Sequence, residues 1–149
     1  MTTSLTIRTY QPADHDDLTA LYLEAFPAPP PWNKPEIMIA EKTAYQPQGL
    51  MVGLDAKGKL IASIKAGYDG HRGWINSLAV SPAARGNGHG KAMMDHAIAW
   101  LNDLGAVKVN LQIRGDNLSL KAYYETLGFE EEHRISMGLL TEKGKAISK

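Results

Sequence analysis

The sequence predicts a mixed α/β fold built on one mixed β-sheet. Two apolar segments, Leu50–Asp55 and Leu60–Ala66, flank a turn that contains Gly58, and this pattern predicts an antiparallel hairpin. In the second half of the chain, helical patterns alternate with strand patterns, which indicates some parallel pairing. Because 149 residues are the size of one domain, we expect a single domain over residues 1–149.

The first half of the chain predicts a strand, a helix, a loop and a second helix before the hairpin. Apolar and polar residues alternate over Leu5–Gln11, which is typical of a strand. A helix follows from Pro12, since acidic residues fill its first turn, where the helix dipole favours them, and apolar residues recur up to Ala25. The proline-rich segment 27–35 ends this helix, and residues 36–45 predict a short second helix.

After the hairpin, residues 72–80 predict a strand, with Ile75, Ser77 and Ala79 expected on one face of it. A helix is expected from about Gly88 to Leu104. Apolar residues at helical spacing give this helix a face toward a core, formed by Met93, Ala97, Trp100, Leu101 and Leu104.

The last third of the chain predicts a strand, a helix and at least one further strand. Residues 106–115 predict the strand, and a helix is expected from near Asn117 to Gly128. Residues 129–140 predict the last strand or strands, and the polar tail 141–149 is expected to fray.

Composition and charge exclude several classes of function. The chain has no cysteine, which excludes a disulfide framework, a thiolate metal site and a cysteine nucleophile. Acidic and basic residues balance at 16 each, so charge predicts no attraction to nucleic acid or to an anionic membrane. No apolar run approaches the ~20 residues that a spanning helix needs, and the first residues lack the pattern of a signal peptide. We therefore expect a cytoplasmic protein without a metal.

The segment SPAARGNGHGKAMMDHA, residues 81–97, predicts a binding site for an anion. Its alternating glycines allow a sharp turn and let a ligand approach the main chain. The amides of such a loop converge as an anion nest, and the helix that follows adds its unpaired N–H groups and the positive end of its dipole. A phosphate or pyrophosphate is the expected ligand, and Arg85 and Lys91 add positive charge at its two ends.

Two common nucleotide-binding motifs do not fit this segment. A Walker A loop would need glycine where Arg85 stands and a hydroxyl side chain where Ala92 stands. A dinucleotide fingerprint would follow the first strand and need an acidic residue about twenty positions later, where Asn110 and Leu111 stand.

The motif RxxGxG, between a strand ending in LAV and an amphipathic helix, resembles the GNAT superfamily of acyl-CoA-dependent N-acetyltransferases. A second motif, Asn-x6-Tyr-Glu-x-x-Gly-Phe at Asn117–Phe129, resembles the same superfamily, and so does the order of elements along nearly the whole chain. The segments PWNKPE and GYDGHRG resemble a bacterial subgroup of it. The resemblance implies a mostly antiparallel central sheet of six to seven strands flanked by about four helices.

The resemblance implies acetyl-CoA as co-substrate and assigns residues to it. The backbone of the glycine loop would bind the coenzyme A pyrophosphate, and the end of the preceding strand would pair with the pantetheine arm. The loop residues are Arg85, Gly86, Asn87, Gly88, His89, Gly90 and Lys91, and the strand residues are Leu78, Ala79 and Val80. His89 replaces the aliphatic residue of the family, and we expect it to be exposed to solvent, with an extra donor to the ligand as the alternative.

Tyr124 matches the tyrosine that lies near the coenzyme sulfur in the family. A phenol with pKa about 10 can protonate a thiolate whose conjugate thiol has pKa about 8.5, so Tyr124 is the candidate general acid, with simple packing as the alternative. Asn117 would cap its helix and, by resemblance, also contact the coenzyme arm.

The general base is the least determined part of the site. Many relatives use a glutamate on the fourth or fifth strand, but the fourth strand here has no acidic residue and the fifth has Gln112. A chain of water molecules to bulk solvent is the preferred route for the proton, and His71 or Asp69 is the alternative. Asp69 also fits the role of a turn residue.

The expected acceptor is a primary amine of a small molecule or of a protein. Trp32 and Asn33 lie in the proline-rich loop where the family has its substrate-facing loop, and with Tyr68 and Arg72 they are candidates to line the acceptor pocket. An equally weighted alternative is that Trp32 packs against the hydrophobic core and holds the proline-rich loop there. An alternative function is a non-catalytic acyl-CoA-binding module that acts as a sensor or partner subunit. A homodimer is compatible with either.

Overall fold

The computed structural model describes residues 4–149 and shows five strands and five helices among them. The strands are β1 Thr6–Thr9, β2 Leu50–Leu54, β3 Leu60–Tyr68, β4 Gly73–Val80 and β5 Val109–Leu111. The helices are α1 His15–Ala25, α2 Pro35–Ala44, α3 His89–Leu104, α4 Leu118–Thr126 and α5 Glu142–Ile147. Short 3₁₀ turns at Pro12–Asp14, Pro31–Asn33, Pro47–Gly49 and Pro82–Ala84 connect them.

The five strands form one mixed sheet in the order β1-β2-β3-β4-β5. The first three pairs are antiparallel, and β4 and β5 are parallel. This arrangement confirms the predicted mixed, mostly antiparallel sheet. The parallel pair needs a long crossover between its strands, and α3 supplies it.

The predicted number of six to seven strands is wrong, because residues 129–140 contain no strand in the structure. Ile135, Met137 and Leu139 in this segment are 90, 91 and 93% exposed. A strand needs a hydrogen-bonding partner along its backbone, and the structure gives this segment none. The polar tail, expected to fray, forms α5 instead, where the Thr141 side chain accepts a hydrogen bond from the Gly144 amide at 3.2 Å.

Helices cover both faces of the sheet. On one face, α1 and α2 pack against the sheet in a core cluster made of Leu18, Leu21, Tyr22, Ile39, Leu50, Val52, Leu60 and Ala79. On the other face lies α3, since a Cβ on Gly53, the neighbour of Val52, would come within 2.9 Å of Met93 Sδ. The predicted core face of α3 is confirmed for Met93, Ala97 and Leu101 but is wrong for Leu104, which is 44% exposed.

A β-bulge interrupts the alternation of β4. Lys65 is paired with Ser77, and the next residue, Ala66, is paired with Ile75, so Asn76 has no partner in the register. A Cβ on Gly73 would contact Leu101 of α3, while Ala79 packs in the cluster with α1 and α2. The prediction that Ile75, Ser77 and Ala79 share one face is therefore wrong, because the bulge turns the second half of the strand over.

The chain divides into two compact units, the first ending at Leu111 and the second comprising Gln112–Lys149. The first contains the whole sheet with α1, α2 and α3. The second contains α4 and α5, and in it Lys121 pairs with Glu125 at 3.4 Å and with Glu131 at 3.6 Å. The single domain over residues 1–149 stays a prediction. Within residues 4–149, no helix has the length and apolar character required to cross a membrane.

Candidate active site

The loop between β4 and α3 depends on two glycines for its shape. After the 3₁₀ turn at Pro82–Ala84, Gly86 and Gly88 adopt left-handed backbone angles, with φ of 83° and 78°. A side chain is disfavoured at these angles. Nothing lies within 4 Å of the position a Cβ would take at either residue. The constraint is thus the backbone conformation itself, as expected for a loop that presents its amides to a ligand.

The loop ends at the N-terminus of α3, where Gly88 is the N-cap and offers no side-chain acceptor to the first-turn amides. Side chains in the loop brace its backbone: Asn87 donates to the Ala84 carbonyl at 3.0 Å, and Arg85 Nε donates to the Val80 carbonyl at 3.2 Å. Lys91 forms an exposed ion pair with Asp95 at 2.7 Å. The free amides and the helix dipole together make this end of α3 attractive to an anion.

His89 is buried, at 4% exposure, so the expectation of a solvent-exposed histidine is wrong. It is the first residue of α3, and it lies four positions before Met93 in a stripe of buried residues that continues through Ala97 and Leu101. Because residues four apart share a face of a helix, His89 belongs to the face that packs on the sheet.

The end of β4 has a free edge. Its antiparallel pairing with β3 continues to Val80, opposite Ala62, whereas its parallel pairing with β5 ends at Ile75, opposite Leu111. Among residues 4–149, no strand pairs with Leu78–Val80 on the side away from β3. A strand edge of this kind presents unpaired backbone N–H and C=O groups. This is the segment assigned to the pantetheine arm, and it leads directly into the glycine loop.

Asp69, His71 and Arg72 form the turn between β3 and β4. Asp69 Oδ1 accepts hydrogen bonds from the backbone amides of Arg72 at 2.7 Å and His71 at 2.9 Å, and Oδ2 accepts one from Trp74 Nε1 at 3.3 Å. These hydrogen bonds, the one from Arg72 first, lower the pKa of Asp69. A carboxylate with a lowered pKa is a weaker base, and the geometry is that of a turn residue.

Tyr124 and Asn117 lie in the second unit. Asn117 caps α4, with its side-chain oxygen accepting from the Leu120 amide at 3.2 Å, as predicted. Tyr124 is buried, with Tyr123 and Phe129 edge-on to its ring at centroid distances of 5.3 and 5.7 Å. Burial first, and then the neighbouring Tyr123, raise the pKa of Tyr124 to about 12. Its hydroxyl therefore keeps its proton at neutral pH.

A cavity of about 380 Å³ lies beside the proline-rich loop. We call it the acceptor cavity, because it is the candidate site for the acceptor amine. Trp32 and Asn33 line it, and their binding of an acceptor stays a prediction. The predicted Tyr68 and Arg72 do not line it: the Tyr68 hydroxyl lies 3.9 Å from where a Cβ on Gly105 would be, beyond the end of α3, and Arg72 belongs to the exposed β3–β4 turn. Tyr68 lies three residues after Lys65 on β3, and alternation along the strand places these two side chains on opposite faces of the sheet.

Six further residues line the acceptor cavity that the sequence analysis did not single out. Lys65 comes from β3 and Asn76 is the bulged residue of β4. Four come from α2 and its end, namely Met38, Glu41, Lys42 and Tyr45. These four are spaced by three, one and three residues, which places them on one face of a helix. This spacing, which is visible in the sequence, could have identified the four residues as one face of α2.

The acceptor cavity contains two partly desolvated ammonium groups. Burial, and then the positive charge of Lys65, lower the pKa of Lys42 to about 8. Burial also lowers the pKa of Lys65, while the negative charge of Glu41 raises it. Lys65 Nζ lies 3.7 Å from Met38 Sδ, which is a weak acceptor.

Comparisons with known proteins bear on the family and the fold. The model of the acetyltransferase (GNAT) family matches residues 15–129. An acetyltransferase of Yersinia enterocolitica is 33% identical over 132 residues, which cover 89% of this chain and 92% of that protein. An aminoglycoside N-acetyltransferase solved in complex with CoA has a TM-score of 0.75 at 17% identity, over 94% of this chain and 97% of its own. The ribosomal-protein-S18-alanine N-acetyltransferase from Escherichia coli has a TM-score of 0.70 at 23% identity, over 87% and 79%.

The chain belongs to the GNAT family of acetyltransferases. The two solved structures confirm the GNAT fold that the sequence resemblance implied. Acetyl transfer is therefore its class of reaction, and acetyl-CoA is the usual acyl donor of the family.

Proposed function

We propose that this protein transfers the acetyl group of acetyl-CoA to a primary amine by direct attack in a ternary complex. One observation carries the proposal: the free edge of β4 at Leu78–Val80 leads without interruption into a loop and helix N-terminus suited to an anion. The amides of the pantetheine arm would pair with that edge as an added strand. The pyrophosphate would bind the amides of residues 85–91.

The reaction forms a C–N bond between the amine and the thioester carbon and breaks the C–S bond. Negative charge develops first on the thioester oxygen, and a backbone N–H within Leu78–Val80 is the proposed donor to it. As the C–S bond breaks, the sulfur takes one proton and the nitrogen of the new amide loses one. Tyr124 is the proposed donor to the sulfur, because its hydroxyl is protonated at neutral pH, and the proton released by the nitrogen restores it.

The ammonium form of the acceptor must lose a proton before attack. We propose that this proton leaves through water, since both carboxylate oxygens of Asp69 already accept hydrogen bonds within the turn and its pKa is lowered. His71, exposed in the same turn, is the alternative. The acceptor would occupy the cavity beside Trp32 and Asn33.

A panel of small amines and peptides with free N-termini or lysines tests the proposal. Each is incubated with acetyl-CoA and the purified protein, thiol release is followed, and the acetylated acceptor is identified by its mass. Thiol release that depends on one amine, with matching acetylation of that amine, is the expected result. The absence of both CoA binding and thiol release with every acceptor would refute the proposal.

A second candidate function is acyl-CoA binding without transfer, as a sensor or partner subunit. The observation that favours it is that neither β4 nor β5 carries a carboxylate to act as a base. Tight CoA binding by calorimetry with no acceptor-dependent thiol release would distinguish it from the enzyme.

A further inference from the structure

The acceptor cavity carries an excess of positive charge. Lys42 projects from α2 and Lys65 from β3, and among the described residues that line the cavity the one carboxylate is Glu41. Two ammonium groups facing one carboxylate leave the cavity with one unbalanced positive charge. A cavity meant for a simple alkylammonium ion would be expected to carry the opposite sign.

The ammonium group of Lys42 is packed against the backbone and partly removed from water. Its ammonium lies beside two glycines, so that a Cβ on Gly49 or Gly67 would come within 3.0 or 3.7 Å of Nζ. The side chain thus packs along the backbone instead of extending into water. Losing hydration disfavours the charged form, and the like charge of Lys65 disfavours it further, which explains the lowered pKa.

An anionic group bound between the two lysines would compensate for the lost hydration of their ammonium groups and for the repulsion between them. A carboxylate or phosphate accepts charge-assisted hydrogen bonds from ammonium groups, and such bonds are stronger where water is partly excluded. The rest of the lining suits a small polar molecule, because it combines the rings of Trp32 and Tyr45 with the side-chain amides of Asn33 and Asn76. A volume of about 380 Å³ is at the lower end of the range of small-molecule sites.

We propose that the acceptor is a small amine that also carries an anionic oxygen group, a carboxylate or a phosphate, and that Lys42 and Lys65 bind this group. The inference rests on the proposed function, since it assigns the substrate class of the same cavity. Lys42 and Lys65 are thereby specificity-determining residues for the acceptor.

Binding to matched pairs of amines tests the inference without requiring turnover. The first pair is 4-aminobutanoate and 4-aminobutanamide, and the second is O-phosphoethanolamine and ethanolamine. Affinities are measured by calorimetry in the presence of CoA. We expect at least one anionic member to bind about tenfold or more tightly than its neutral partner, as for a hydrogen bond to a charged group. The two pairs distinguish carboxylate from phosphate.

Three variants and a matched control connect the preference to the cavity. Lys42→Met and Lys65→Met should abolish it, and Lys42→Arg should preserve it. Lys57→Met removes an exposed lysine from the β2–β3 turn and should leave the preference unchanged. Thermal unfolding checks that each variant is folded, and removal of a desolvated charge is not expected to lower stability.

The outcomes separate this inference from the proposed function. Equal affinity within both pairs, no binding of either anionic amine, or a preference that survives both methionine variants overturns the inference. A protein that acetylates the neutral amines as fast as the anionic ones keeps the proposed function and refutes the inference. A protein that prefers the anionic amines but never releases thiol refutes the proposed function and keeps the inference.

Discussion

Reversing the charge at Lys91 while stiffening Gly88 is the sharpest test of the glycine loop. The double variant Gly88→Ala, Lys91→Glu places a side chain where φ is 78° and a negative charge where the pyrophosphate is proposed to bind. Both changes act on ligand binding, and each has a calculable effect on stability. The two effects can therefore be measured separately.

The expected loss of stability is small. An alanine in the left-handed region costs about 1 kcal/mol relative to glycine, and no atom within 4 Å of the new Cβ adds a clash. Glutamate at position 91 lies in the first turn of α3, where the helix dipole favours a negative charge by roughly 0.3–1 kcal/mol. This gain offsets both the lost, exposed ion pair with Asp95 and the new repulsion between the two carboxylates. We expect the unfolding temperature to fall by about 2–4 °C.

The expected loss of CoA affinity is larger. The Lys91 side chain is 62% exposed, so a dielectric near that of water applies, and two unit charges about 5 Å apart interact by about 0.8 kcal/mol. Reversing one charge against a doubly charged pyrophosphate changes the binding free energy by about 3 kcal/mol, which screening at physiological ionic strength reduces to about 2 kcal/mol. The Kd for CoA should rise about 30-fold.

Isothermal titration calorimetry with CoA at two salt concentrations measures the effect. The loss should be greater at low salt, and the control Gly88→Asn, whose side chain tolerates left-handed angles, should bind CoA nearly as the parent does. An unchanged Kd in a folded double variant would show that this loop is not the coenzyme site.

Three further predictions concern other residues. Tyr124→Phe should lower turnover about 100-fold and leave the Kd for CoA unchanged; equal turnover with an accepted amine would remove its acid role. Asp14→Asn breaks the two-bond pair with Arg8 at 2.7 and 2.9 Å and should destabilise the protein by about 2 kcal/mol. The Arg8 hydrogen bonds hold the pKa of Asp14 below its ordinary value of 3.8. The difference in unfolding free energy between the parent and the variant should therefore be complete at neutral pH and disappear as the pH falls through and below about 4. A difference in denaturant midpoint that does not change with pH would contradict this prediction. Affinity for an anionic amine should fall as the pH rises through about 8, where Lys42 loses its proton. In Lys42→Arg this fall should move to higher pH, and a pH profile that does not move would show that Lys42 does not bind the anionic group.

The glycine loop and the cap of α4 could be predicted from the sequence because each depends on local chain conformation. Gly86 and Gly88 have the left-handed angles that their positions require, and Asn117 bonds an amide three residues ahead. His89 was also within reach, since its four-residue spacing to Met93 places both on one helix face.

The acceptor cavity shows where local reasoning failed. The faces of β4 depend on the bulge at Asn76, which exists only through the pairing of Lys65 and Ala66 with Ser77 and Ile75. A regular alternation from Gly73 to Val80 therefore assigned residues to the wrong face. Lys65 lines the cavity beside Trp32 and Tyr68 does not, because alternation along β3 places these two residues on opposite faces of the sheet.

By itself, the sequence determined the family, the order of most helices and strands, and the left-handed glycines of the loop before α3. These follow from backbone angles, helix caps and apolar spacing, which act over a few residues. The tertiary structure alone decided the free edge at Leu78–Val80, the unpaired course of residues 129–140, and the meeting of Lys42 with Lys65. Strand register and cavity lining join residues distant along the chain, and their choice depends on the packing of the whole sheet and its helices.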